Sequence, residues 1–182
     1  YLLLAAWTPE KKYKILCGGE AFPTELKNRL LNYSTELWNM YGPTEATVWV
    51  SALKITDAKQ LVSLGRPFPG TTFKIEQDEL VIGGDQVAEG YLGANAEQNL
   101  KFFRDRTNTL SCYRTGDSVR EESGHFIFSG RVDRQIKING FRVELGEIES
   151  VILERDEIEN VAVIVAKDHD QALVAFVVSL LS

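Results

Sequence analysis

Asn39-Met-Tyr-Gly-Pro-Thr-Glu45 is the stretch on which the reading of this chain turns. Glu36-Leu-Trp-Asn39 reads as a short strand, and Gly42-Pro43 forces a tight turn beyond its end. Thr44 and Glu45 are thereby presented together from a strand end. A hydroxyl beside a carboxylate suits a phosphate oxygen and its Mg2+, because a hard cation prefers oxygen ligands. Tyr41 offers a flat face to a base, and the Asn39 amide can both donate and accept. On these residues alone a plain turn with a helix-capping Thr carries more weight than a ligand site.

Working outward, Lys14-Ile-Leu-Cys17 predicts a short buried strand running into Gly18-Gly19, where the backbone can turn tightly or approach a ligand. Pro23 marks a helix start, and Leu26, Leu30 and Leu31 follow at helical spacing. Tyr1 to Trp7 is apolar but lacks the basic start and cleavage site of a signal peptide, so a core helix is expected. On the other side, Thr47 to Ile55 is rich in β-branched and aromatic residues and predicts a strand. From Gly65 to Arg131 short strands alternate with Gly and Pro, at Phe73–Glu76, Glu79–Ile82, Ser118–Glu121 and His125–Phe128. The last two predict a hairpin closed by Glu-Ser-Gly, and the block reads as a small sheet or barrel-like subdomain. Gly83-Gly84 reads as a turn. Beyond Arg131, Gln135 to Asn139 alternates polar and apolar before Gly140. Gly146 to Arg155 puts Ile148, Val151 and Ile152 on one helix face, and Val161–Val165 and Ala172–Val178 are apolar strands.

Composition narrows the classes. The 182 residues are 44% hydrophobic and 25% charged, which is ordinary for a globular chain. No apolar run reaches the roughly 18 to 20 residues that a spanning helix needs, so a membrane segment is not expected. Twenty basic against 26 acidic residues give a net charge of −6, which argues against a whole-surface nucleic-acid footprint. Two cysteines, Cys17 and Cys112, make no disulfide scaffold and fit a reducing, cytoplasmic setting. Residues 134–182 carry five basic and nine acidic side chains, suggesting a separate acidic α+β unit joined near Asp133. A single methionine at position 40 and a start at Tyr1 lead us to expect a fragment or processed form.

Two further stretches offer chemistry. In Tyr113-Arg-Thr-Gly-Asp117, a carboxylate held after a glycine turn could accept both hydroxyls of a ribose, although Thr-Gly-Asp is common in plain turns. Gly130 to Gly140, continuing through Arg142, Glu144 and Glu147, places the cations Arg131 and Lys137 near glycine breaks, as phosphate oxygens require. The alternative there is a solvated strand with ordinary surface charge. Cys17 reads as a packed thiol, and His125 and His169 lack zinc-ligand spacing.

Taken in order, Gly18-Gly-Glu-Ala21, Asn39 to Glu45, Glu79-Leu-Val-Ile-Gly-Gly84, Gly90-Tyr-Leu92, Tyr113 to Asp117 and Gly130 to Glu149 resemble the adenylation domains of nonribosomal peptide synthetases, within the adenylate-forming, AMP-binding superfamily. The resemblance covers nearly the whole chain. It implies a mixed α/β fold: residues 1–132 as the end of the large core, with a β-rich subdomain over about 64–132, and 133–182 as part of a small mobile subdomain hinged at Asp133.

The resemblance also implies roles. Thr44 would contact the adenylate phosphate, Glu45 would hold Mg2+, Tyr41 would stack on adenine and Asn39 would bond its amino group. The backbone at Gly18, Gly19 and Glu20 would line the adenine site, Asp117 would grip the ribose with help from Arg131, and Phe128 would replace the Tyr usual at its position. Lys137 and Gly140 would serve the thioester-forming conformation, Gly140 along the carrier-arm tunnel. Leu16, Gly18, Met40, Val48 and Trp49 would line a pocket for a small amino acid, glycine favoured. The implied ligands are ATP, giving AMP, and Mg2+. The implied partners are a peptidyl carrier protein domain bearing phosphopantetheine and neighbouring synthetase domains, with neither nucleic acid nor membrane. The family's earlier phosphate loop, its late Lys and its upstream Asp are absent from these 182 residues, so the segment alone is expected to be inactive. The rival readings are a standalone D-alanyl- or acyl-carrier-protein/CoA ligase and a non-catalytic nucleotide-binding or scaffold fragment.

Overall fold

A computed structural model describes residues 10–93, 95–96, 99–107, 109–138, 141–166 and 172–179. The helix expected over Tyr1–Trp7, His169 and Gly140 lie outside the described residues. The chain divides into two compact units, Tyr1–Val132 and Asp133–Ser182. Among the described residues no helix is long and apolar enough to cross a membrane.

The first unit opens with β1 (Tyr13–Gly18), α1 (Thr24–Tyr33) and β2 (Ser34–Tyr41), with β1 and β2 parallel. Pro23 supplies an extended backbone just before α1, and Ser34 returns at once to extended geometry, so the helix feeds directly into β2. Strands β3 (Ser51–Ile55) and β4 (Arg66–Pro67) complete a four-stranded sheet in the order β1-β2-β3-β4. Leu30, Leu37 and Ile55 form the core of one face, with Ile15, Cys17, Leu26 and Leu31 packed against them. The buried Lys27 points its ammonium into the Ala58 and Gln60 carbonyls, both at 2.7 Å, and so clamps the turn after β3. The Cys17 thiol is pushed up from its ordinary pKa by burial, as a packed thiol should be.

Two expectations here need correction. β1 is not buried: its pattern alternates, and Leu16 is 62% exposed, because only its Ile15 and Cys17 face packs against α1. Nor is 47–55 one strand. Thr44–Ala46 forms a turn of 3-10 helix, Thr47 and Val48 take left-handed φ of 58° and 68°, and β3 begins only at Ser51. β-propensity predicts the wrong state because other bonds hold the turn. The Ala88 amide donates to the Glu45 carbonyl at 2.8 Å, and the Thr47 hydroxyl to the Gln86 carbonyl at 2.8 Å.

The second half of this unit is an open five-stranded sheet, not a barrel. β5 (Thr71–Glu76) pairs with β6 (Glu79–Gly84), and β6 with the long β8 (Ser111–Glu122). The far edge of β8 is shared by β7 (Phe102–Arg104) and β9 (His125–Arg131). Gln77-Asp78 and Ser123-Gly124, all at positive φ, close the two hairpins as two-residue turns whose twist matches the strands. Gly83-Gly84 ends β6 in ladder pairing instead of making a turn. Thr115-Gly-Asp117, expected as a turn, lies inside β8. Gly116 at φ 73° makes a bulge there, its amide donating to Glu79 Oε1 at 2.7 Å while the Thr115 hydroxyl donates to the Leu80 carbonyl at 2.8 Å. Leu80, Ile82, Tyr113 and Val119 from this sheet bury Ala46, Val50 and Leu64 in one core.

The second unit holds a hairpin of β10 (Gln135–Ile138) and β11 (Phe141–Glu144), then α2 (Leu145–Leu153), then the antiparallel pair β12 (Ile158–Val165) and β13 (Leu173–Ser179). Leu145 and Val163 are buried and Ile148 and Ile152 partly so, whereas Val151 is 59% exposed, one step off the face expected for it. Arg134 grips Glu149 through two bonds of 2.7 and 2.8 Å, and Glu149 also accepts the Val163 amide at 2.7 Å. This charge-assisted arrangement joins α2 to β12 and holds the Glu149 carboxyl below its ordinary pKa, the Arg134 bond being the larger cause.

Candidate functional site

Strand β2 distributes its side chains to two faces. Leu37, Asn39 and Tyr41 point to the packed side, and Trp38 and Met40 to the other, in register with Leu16 and Gly18 of β1 and with Ala52 and Lys54 of β3.

On the packed side the buried Asn39 donates its amide nitrogen to the Ser63 carbonyl at 2.8 Å, which leaves Oδ1 as the acceptor end. Tyr41 ends the strand with its ring edge-on to Phe73, and its hydroxyl donates to Asp117 Oδ2 at 2.5 Å. Burial, and then the negative charge of Asp117, push the Tyr41 hydroxyl well above its ordinary pKa, so it remains a donor throughout the neutral range. Asp117 faces Arg131 across the β8–β9 ladder. Arg131 donates to Asp117 Oδ1 at 2.7 Å and to the Thr115 carbonyl at 3.0 Å. Tyr41, Asp117 and Arg131 thus form one chain of hydrogen bonds linking the end of β2 to the bulge in β8. Phe128, also on β9, packs against the core beside it.

The turn after β2 presents the hydroxyl–carboxylate pair. A Cβ added to Gly42 would come within 2.3 Å of the Val48 carbonyl oxygen, so only glycine lets the turn fold back on itself. Thr44 opens the 3-10 turn and is exposed, while Glu45 beside it is buried and its Oε1 accepts the hydroxyl of Tyr91. The donor set is all oxygen, one carboxylate next to one hydroxyl, which fits a hard divalent cation that takes its remaining ligands from phosphate and water.

On the open face, the end of β1 brings Gly18 beside Met40. The Trp49 ring lies over Gly18: a Cβ there would meet Trp49 Cζ3 at 2.5 Å and the Met40 carbonyl oxygen at 2.6 Å. Trp49 is 39% exposed and does not enter the core. Leu16 and Val48 are exposed, as is Glu20, and Gly19 takes φ 92° with open space around its Cα. Leu16, Gly18, Met40 and Trp49 therefore share one side of the sheet. Asp133 and Lys137 lie in the second unit. Asp133 Oδ1 accepts the Gln135 amide at 3.2 Å, and the exposed Lys137 pairs with Arg142 in the β10–β11 ladder.

Sequence reasoning gave Tyr91 no role, and its signal was available only as the Gly90-Tyr-Leu92 motif. The Tyr41–Asp117 bond links residues 76 positions apart and left no local trace.

Comparison with known proteins joins these observations. Residues 8–92 match the family model for AMP-binding enzymes. The chain is 38% identical, over 92% of its length, to the D-alanine–D-alanyl carrier protein ligase of Lactococcus lactis subsp. lactis, of which it spans 35%. It spans less of the peptide synthetases that it also matches, 8% of a dimodular nonribosomal peptide synthase of Bacillus subtilis among them. A crystal structure of holo-AB3403, a four-domain nonribosomal peptide synthetase bound to AMP and glycine, aligns with a TM-score of 0.66 at 40% identity. That alignment covers 98% of this chain and 15% of the other. The Vibrio cholerae adenylation domain AlmE, in complex with glycyl-adenosine-5'-phosphate, aligns with a TM-score of 0.82 at 28% identity, covering 97% of this chain and 38% of the other. The hydroxyl–carboxylate turn and these similarities together mark the chain as a fragment of the AMP-binding, adenylate-forming superfamily.

Proposed function

We propose that the protein carrying this chain activates a small amino acid, glycine first, as its aminoacyl-AMP and passes it to the phosphopantetheine thiol of a carrier protein domain within a larger peptide synthetase. In the first step a carboxylate oxygen of the amino acid bonds to the α-phosphorus of ATP, and the bond from that phosphorus to pyrophosphate breaks. In the second step the thiol sulfur bonds to the acyl carbon and AMP leaves.

The residues divide this work. Asn39 Oδ1 accepts from the adenine amino group, the Tyr41 ring covers the base beside the backbone of Gly18, Gly19 and Glu20, and Asp117 receives the ribose hydroxyls while Arg131 balances its charge. Phe128 closes the site with apolar packing. Thr44 donates to a phosphate oxygen. Glu45 would hold Mg2+, which when bound neutralises charge on the phosphate oxygens. Lys137 and Gly140 serve the thioester-forming step, and Asp133 is the hinge. Asp133→Pro fixes φ and is expected to leave pyrophosphate exchange within about threefold of wild type while slowing carrier loading about tenfold or more. Equal loss of both half-reactions in a folded protein would overturn the hinge.

The observation that carries the substrate reading is the Trp49 ring over Gly18. The space above the glycine is already filled, and Leu16, Met40, Val48 and Trp49 offer no charge. A charged substrate side chain laid against these residues finds no partner among them, and the Trp49 ring occupies the space over Gly18 that a large one would need. The two solved relatives hold glycine or glycyl-adenylate, and the ligase acts on D-alanine, by their names. That ligase similarity also supports a standalone D-alanyl ligase as the second reading. Pyrophosphate exchange by the full-length protein, driven in turn by glycine, L-alanine, D-alanine, leucine and phenylalanine, tests both. Glycine is expected to lead, and D-alanine leading would favour the second reading. Trp49→Ala should shift preference toward larger side chains by about tenfold or more, as even one methylene of space is worth roughly 1 to 3 kcal/mol. A wild type that prefers leucine or phenylalanine would sink the small-substrate assignment.

A further inference from the structure

Tyr91 lies in the loop that follows β6, in a motif to which the proposed reaction gives no task. Among the described residues, contacts of its amide, ring and hydroxyl fix it. Its amide donates to Asn99 Oδ1 at 2.8 Å, an approach that Gly90 permits, because a Cβ at position 90 would sit 2.8 Å from that same oxygen. Its ring stands edge-to-face with Phe102, centroids 5.2 Å apart and planes at 83°. Its hydroxyl donates to Oε1 of Glu45. The same loop ties the Glu45 backbone through Ala88 and the Thr47 hydroxyl through Gln86. A segment 39 to 46 residues downstream thus grips both the main chain and the carboxylate of the turn.

We propose that Tyr91 is a positioning residue whose hydroxyl holds the Glu45 carboxylate in the orientation that receives the divalent cation of the nucleotide. The inference rests on the reading of Glu45 as the cation ligand. A phenol suits this task. It donates one proton along a fixed direction and, unlike a lysine or arginine, adds no positive charge to compete with the cation. A carboxylate oxygen keeps a second lone pair after accepting one such bond. Without the hydroxyl the carboxylate must be ordered by the cation itself, and the ordering entropy then weakens binding.

The test uses the full-length protein and Tyr91→Phe, which removes one oxygen and keeps the ring contact with Phe102. Mn2+ binding in the presence of a non-hydrolysable ATP analogue, followed by the electron paramagnetic resonance signal of the free aqua ion, should weaken about 5- to 20-fold. The Mg2+ concentration for half-maximal pyrophosphate exchange should rise by a similar factor. The rate at saturating Mg2+ and the KM for the amino acid should stay within about twofold. Phe102→Leu, which disturbs the ring contact but spares the hydroxyl, should lower thermal stability without moving Mn2+ affinity. An unchanged Mn2+ affinity in Tyr91→Phe overturns the inference alone, as does an equal shift in Phe102→Leu, which would make the role merely structural. A wild type showing neither Mn2+ binding nor Mg2+-dependent exchange overturns the underlying reading of Glu45 along with it.

Discussion

Glu45→Gln in the full-length protein is expected to lower Mg2+-dependent pyrophosphate exchange about 30- to 1000-fold without unfolding the domain. The substitution keeps shape and an acceptor for Tyr91 but removes the charge from a buried position beside Thr44. A charged ligand to the transition state is worth about 2 to 4 kcal/mol, and each 1.4 kcal/mol is tenfold in rate. The loss should shrink as Mg2+ is raised, because a weakened site can be filled by mass action. Unchanged exchange at limiting Mg2+ would remove Glu45 from the site.

The second large effect concerns stability as much as activity. Asp117→Ala deletes the acceptor that receives both the Arg131 guanidinium and the Tyr41 hydroxyl. Arg131 is 17% exposed at its side chain and Asp117 10%, so solvent does little to replace the lost partner. Breaking such a pair from one side costs about 3 to 5 kcal/mol. We expect the urea midpoint of the domain to fall accordingly and nucleotide affinity to fall with it. Asp117→Asn preserves the shape and one acceptor oxygen, and should lose about 1 to 2 kcal/mol. An Asp117→Ala protein that unfolds at the wild-type midpoint would show that the pair is a surface contact of no consequence.

How much of this was legible in the sequence depended on how local the cause was. The hairpin at Ser123-Gly124 was legible because two residues at positive φ settle it. α1 was legible from Pro23 and the Leu26–Leu30 spacing. The left-handed pair Thr47-Val48 was not, since Thr, Val and Trp favour strands. Thr47 is held by Gln86 and the preceding Glu45 by Ala88, about 40 positions away, and a β-branched residue at such φ is costly enough that only tertiary bonds maintain it. Thr115-Gly-Asp117 misled in the opposite direction. A glycine between polar residues signals a turn, but the Glu79 carboxylate and the Leu80 carbonyl hold Gly116 and Thr115 within β8 and turn the signal into a bulge. The candidate site followed the same division. Residue types and motif order named Asn39, Tyr41, Thr44, Glu45, Asp117 and Arg131 as candidates, whereas the bond from Tyr41 to Asp117 and the grip of Tyr91 exist only once distant strands meet.

The alternation along β2 has an evolutionary corollary. Asn39 and Tyr41 point to one side of the sheet and Met40 to the other, so under the proposed assignment neighbouring codons answer to different ligands: two to the nucleotide and one to the amino acid. On that assignment a substitution at position 40, or at Gly18 or Ala52 opposite it, would alter the choice of building block while leaving the nucleotide side of the strand untouched. The pleat of a single strand would then keep the fuel and the cargo of the reaction on opposite faces, each open to change without the other.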